Sequence, residues 1–234
     1  MHNFFIMSQD SQSEISLENS GRSPKILTFF AHFISYIMHP VFMPLLMTMA
    51  LYKLTPVSFA GLDDHKFGLW LLNIGITTIF FPLFSIGLLK PLGFISSFKM
   101  PTTKERIVPL IITMTFYFWV SNVFNKMPGV NVPVILKILL LGNFWGIILV
   151  FLLNIFTKVS LHTSAAGGVI GNIIVLMIKS PVNMEIPLFI VLILGGIIGT
   201  ARLLVGAHQK GDVWLGFVVG IVVQLAAFAY FSVF

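Results

Sequence analysis

Arg202, His208 and Asp212 lie within the short stretch Ala201-Arg202-Leu203-Leu204-Val205-Gly206-Ala207-His208-Gln209-Lys210-Gly211-Asp212, which separates two long apolar runs. Ionisable side chains at the end of a membrane span are costly to keep there, which makes them functional candidates. His208 and Asp212 are four apart, one helical turn if a helix starts near Gly206. In that register the carboxylate accepts a hydrogen bond from one imidazole nitrogen, fixes the tautomer and leaves the other nitrogen free. An imidazole so held can attack phosphorus, giving a covalent intermediate that water later breaks down. The alternative is a structural His–Asp pair that caps the helix.

Two more polar clusters sit between apolar runs: Lys99 to Arg106, and Lys158 to His162. A second histidine is what such a reaction needs, because an alkoxide or phosphate leaving group must be protonated as its bond to phosphorus breaks; His162 is the candidate. Ser160, two residues earlier, is also placed to cap the helix that follows. Lys99, Arg106 and Arg202 supply positive charge for non-bridging oxygens, and guanidinium groups match phosphate geometry by paired hydrogen bonds. Lys104, Lys158 and Lys210 read as interfacial anchors to lipid headgroups. Hard-cation sites need clustered carboxylates, and near these clusters the sequence offers only Glu105 and Asp212, so a metal-independent mechanism without a cofactor is expected.

The elements that must position these groups follow from hydropathy. Of the 234 residues 57% are hydrophobic and 9% charged, with 24 Phe and a mean hydropathy of +0.98, far outside the balance of a soluble domain. Apolar runs approach the roughly 20 residues a helix needs to cross the hydrocarbon core, and strand-like alternation is absent, so an all-α transmembrane bundle is expected. The 14 Lys and Arg are scattered rather than gathered in a run, which points to lipid phosphate and away from nucleic acid. Cysteine is absent, which removes thiolate nucleophiles and disulfides.

The expected organisation is a polar, flexible tail over 1–25 followed by a membrane domain over 26–234 with about seven spans. Those spans are 26–54, 67–89, 107–124, 132–156, 163–178, 186–204 and 212–234. The first carries His32, His39-Pro40 and Pro44; the prolines should bend it. His32 and His39, seven apart, are expected on one face toward the bundle as packing residues. Two spans separate the first cluster from the second and two more separate the second from the third, so all three return to one membrane face, with the tail on the same side and the C-terminus opposite. Glycines four apart (142/146, 167/171, 195/199 and 216/220) let helix backbones approach closely.

The three clusters together resemble the signature of the type 2 phosphatidic acid phosphatase superfamily, K-x6-R-P, P-S-G-H and S-R-x5-H-x3-D. Lys99 and Arg106 have the first spacing, Ser160 and His162 match the second, and Arg202, His208 and Asp212 match the third; the likeness spans about residues 90 to 220. The sequence departs from the pattern at Ile107, Val159, Leu161 and Ala201, which replace Pro, Pro, Gly and Ser. The resemblance implies a six-helix core of that family, His208 as nucleophile, Asp212 as its orienting partner and His162 as proton donor. It further implies that Lys99, Arg106, Ser160 and Arg202 hold the phosphate of a membrane lipid, in an integral protein of a bacterial inner membrane. The expected activity is hydrolysis of a lipid phosphate or diphosphate. A phospho-transferase of the same type, or a non-catalytic lipid-phosphate binder or transporter, is the alternative. A membrane prenyltransferase would need aspartate-rich segments, which the sequence lacks. The Lys and Arg excess on the motif side, nine against five, shrinks to six against five once Lys99, Arg106 and Arg202 are assigned to phosphate, so charge leaves the absolute side open.

Overall fold

In this computed structural model residues 24–98, 100 and 102–233 are described. The tail expected over 1–25 lies almost wholly outside the described residues, as does Lys99. Nine α-helices carry the described chain: α1 Lys25–Ile37, α2 Met43–Leu54, α3 Asp64–Gly75, α4 Phe81–Leu89, α5 Thr103–Asn125, α6 Val134–Leu153, α7 Leu161–Lys179, α8 Glu185–Leu204 and α9 Lys210–Val233. There is no strand among them. Taken as continuous rods, α1–α2 and α3–α4 each make one span, so seven helical segments are long and apolar enough to cross a membrane. The protein is an integral membrane protein built as a helical bundle. Its many exposed large apolar side chains, Phe29, Tyr36 and Phe189 among them, are what lipid-facing helices present.

The first span is broken, not merely bent. α1 ends at Ile37; His39 is extended, with φ −67° and ψ 135°, and Pro40–Phe42 forms a single 3-10 turn before α2. A proline disfavours the helical conformation of the residue before it, which accounts for His39. The break resets the helical phase, so the expectation that His32 and His39 share one inward face is corrected: His32 is exposed and His39 half-buried. The second span holds a π-helical turn at Ile76–Phe80 just before Pro82. Such a turn absorbs the backbone bond that proline cannot make.

α7 and α9 form the centre of the bundle and meet backbone to backbone. A Cβ built at Gly167 would strike the backbone of Phe217, one at Gly220 would strike the carbonyl of Ser164, and one at Gly216 would strike Thr163 and Ser160. Small residues at a membrane interface allow this approach, where van der Waals packing rather than water exclusion drives association. Gly195 and Gly199 on α8 admit the Phe217 ring, which a Cβ at either position would approach to 3.3 Å. The same seam encloses a polar chain well inside the bundle. Asn172 Nδ2 donates to Gln224 Oε1 at 3.4 Å, and Gln224 Nε2 donates to Asn143 Oδ1 at 3.2 Å. Asn172 and Gln224 are both fully buried.

The ends of the spans sort into two groups. Phe98, Arg106, Asn154, His162 and Arg202 border one cavity at one end, whereas Thr55, Val132, Lys179 and Phe231 border another at the opposite end. The three motif segments therefore lie at one end of the bundle, as the even count of crossings requires.

Candidate active site

Each candidate residue reaches the first end of the bundle by an identifiable local device. α8 stops at Gly206, which takes φ +68°, while Gly206 N–H donates to Leu203 C=O at 2.9 Å and Ala207 N–H to Arg202 C=O at 3.3 Å. This is a Schellman-type ending; glycine supplies the left-handed turn that satisfies the last carbonyls. It leaves Arg202 in the last turn of α8 and projects His208 from the connection.

α9 begins at Lys210, later than the sequence spacing implies, so His208 and Asp212 do not share a helix. Gln209 C=O accepts from Val213 N–H at 3.2 Å, and the Asp212 carboxylate reaches back to Gln209 N–H at 3.0 Å. Asp212 thus caps its own helix in the manner of the third-position acid of a capping box. The same oxygen, Oδ2, stands 3.6 Å from His208 Nδ1. That is an ion-pair distance and too long for a hydrogen bond, which corrects the expected direct bond. His208 Nδ1 is buried without a hydrogen-bond partner among the described residues. The Asp212 carboxylate thus caps α9 and stands only at ion-pair distance from His208.

The second motif opens α7. Ser160 is fully buried; its Oγ accepts from Thr163 N–H at 3.5 Å as the N-cap, and its N–H donates to Asp212 C=O at 3.3 Å. The second bond ties the second and third motifs through backbone alone. Ser160 is not on the cavity wall, whereas His162, one turn edge away, is.

The first motif opens α5, where Thr102 accepts from Glu105 N–H at 3.4 Å and Ser96 Oγ donates to Glu105 Oε1 at 2.8 Å. These bonds fasten the connection after α4 to the start of α5. Arg106 Nε donates to Met100 C=O at 3.0 Å, and Met100 takes φ +44°, a conformation uncommon outside glycine.

Arg106, His162, Arg202 and His208 converge on a cavity of about 270 Å³. Its other walls are mostly apolar, with Pro82, Leu83 and Ile86 from α4 and Leu110 from α5, and carry the polar groups of His39, Thr113, Tyr117 and Asn154. No carboxylate lies within ion-pair distance of either guanidinium among the described residues. Arg202 Nη1 donates to Ser35 Oγ at 3.2 Å, but Arg202 Nε is buried with no acceptor. Burying an uncompensated cation is unfavourable, so the arrangement calls for an anion. Burial, reinforced by the positive charge of Arg202, holds the His208 imidazole below its ordinary pKa, with Asp212 pulling the other way. The neutral, nucleophilic form is thereby favoured. Lys104, Lys158 and Lys210 are exposed.

The structure also brings in His39, which the sequence alone reads as a packing residue, and Ser35, which it does not single out. His162 Nε2 lies 3.0 Å from Ser35 C=O, and the His39 ring lies 5.3 Å from that of His162, edge to face. His39 borders the same cavity. The signal available in sequence was the His39-Pro40 pair within an apolar run; Ser35 carried none. Neither a family model, nor a curated protein, nor a solved structure matches this chain.

Proposed function

We propose that the protein is a metal-independent phosphatase of a membrane lipid phosphate or diphosphate, working through a phosphohistidine on His208, in a bacterial inner membrane. The observation that carries the reading is the convergence of two guanidinium groups, uncompensated by any described carboxylate, with His162 and His208 in one cavity whose remaining lining is mostly apolar. A phosphate fits the charge and a lipid chain fits the walls. The motif spacing shared with the type 2 phosphatidic acid phosphatases supports the same reading.

In the proposed reaction His208 Nε2 attacks phosphorus as the bond to the lipid oxygen breaks, and His162 gives that oxygen its proton. Because His162 Nε2 is engaged with the Ser35 carbonyl, Nδ1 is the nitrogen that exchanges the proton. To act as the donor, His162 must enter the substrate complex carrying a proton on each ring nitrogen. In the second half His162 Nδ1 takes a proton from water, whose oxygen displaces His208 from phosphorus and restores both histidines. Arg106 and Arg202 neutralise the charge that gathers on the non-bridging oxygens. Lys99 is proposed to join them, by motif spacing alone; Ser160 acts by holding the start of α7.

The test is phosphate release from a panel of lipid monophosphates and diphosphates in excess chelator. His208→Ala should abolish release while the protein still inserts and keeps its thermal transition. His162→Ala should be milder on substrates with good leaving groups. Wild-type turnover by folded His208→Ala would falsify the assignment, and activity lost on chelation and restored by magnesium would require a different mechanism.

A further inference from the structure

The break in the first span places a histidine where neither motif nor spacing asks for one. Ser35, one turn before the break, makes two contacts with the site: its carbonyl engages His162 Nε2 at 3.0 Å and its hydroxyl accepts from Arg202 Nη1 at 3.2 Å. The chain then leaves the helix, and His39 turns its ring onto His162 with 5.3 Å between centroids. Val41 N–H donates to His39 Nδ1 at 3.4 Å, a long bond, but one that only an unprotonated nitrogen can accept. The proton of the neutral ring is therefore on Nε2. Nε2 has no partner among the described residues, and His39 borders the cavity together with Arg106, Arg202 and His208.

We propose that His39 is a further substrate-binding residue, donating its Nε2–H to a non-bridging oxygen of the bound phosphate, while Ser35 is a positioning residue for His162 and Arg202. The proposal rests on the phosphatase reading in taking phosphate as the ligand. It adds a wall to the site: the first span contributes a neutral donor, where the three motifs contribute cations and the reacting imidazoles. A neutral donor stabilises the anion without adding charge that would disfavour the imidazolium of His162, its neighbour.

The probe is inorganic phosphate, titrated into the detergent-solubilised full chain labelled with ¹⁵N-histidine. The chain has six histidines, and the His39 signals are those lost in His39→Gln. In the free protein His39 should show a protonated Nε2 and an unprotonated Nδ1, and the Nε2 signal should shift on adding phosphate. His39→Leu should weaken phosphate affinity, and raise KM for a lipid monophosphate, about tenfold or more with kcat little changed, as expected for a hydrogen bond to a charged group. His39→Gln, which keeps a donor, should recover affinity to within about threefold. Ser35→Ala should raise KM likewise, and Ser35→Thr should restore it. A His39 signal indifferent to phosphate overturns the proposal, as does equal weakening in the Leu and Gln variants, which would mark a packing role. If His39 is silent but the wild-type protein releases phosphate from lipid, only this proposal falls; if release is also absent, the phosphatase reading falls with it.

Discussion

Burial, and after it the charges of Arg202, Lys158 and Arg106, hold the His208 imidazole below its ordinary pKa, and Asp212 opposes them. In the proposed reaction the His208 ring attacks in its neutral form, so the acid limb of kcat/KM should fall below the ordinary histidine value of 6.5. Removing the opposing charge in Asp212→Asn should move that limb further toward acid and lower kcat, since the ring also loses its orienting neighbour. An unmoved limb would mean that another group titrates. The pair shows how far residue-level reading of a sequence reaches. Spacing alone brought Asp212 to His208, but the late start of α9 gives the carboxylate a second duty at Gln209, and the 3.6 Å separation reflects that divided use. Ser35 was illegible for another reason: its partners His162 and Arg202 are 127 and 167 residues away. No local pattern encodes contacts of that range.

At the scale of elements, the spans were readable because lipid demands long apolar helices, and the glycine spacing marked the seam between α7 and α9. What hydropathy does not encode is the break at Met38–Pro40 as a change of direction with a function, or the Asn143–Gln224–Asn172 chain, whose members are scattered over three apolar runs and look like isolated polar residues. The seam makes its own prediction. Gly220→Ala places a methyl group against the Ser164 carbonyl and should cost about 1–3 kcal/mol or more, lowering the thermal transition and the activity together. Gly196→Ala, which meets nothing within 4 Å, should stay within about 0.5 kcal/mol of the parent. Equal behaviour of the two variants in a detergent melt would show that α7 and α9 are not in backbone contact.

For the whole molecule, the two ends of the bundle are distinguishable by chemistry: one gathers the motif residues, the other the connections near Ser58, Lys126 and Ser180. With no native cysteine, single substitutions Ser97→Cys, Gln209→Cys, Ser58→Cys and Ser180→Cys can be probed with an impermeant thiol reagent in intact cells. The first two should label alike and the last two oppositely. Labelling of Ser97→Cys and Gln209→Cys from different sides would break the seven-span count. If the motif end labels from outside, the site faces away from the cytoplasm, which is the side that charge counting left open.

The contact between Gly167 and Phe217 has a consequence for how this chain tolerates change. His162 stands at the start of α7 and His208 just ahead of α9, so the spacing between the backbones that carry the two imidazoles is set by main chain against main chain. In a saturation library the glycines should therefore divide sharply. Gly167, Gly216 and Gly220 should accept almost no replacement, whereas Gly68, Gly87 and Gly196, each with open space where a side chain would go, should accept many. Depletion scores along α7 and α9 would then trace the seam as a line of intolerant positions, legible from sequence counts alone and without any assay of the chemistry.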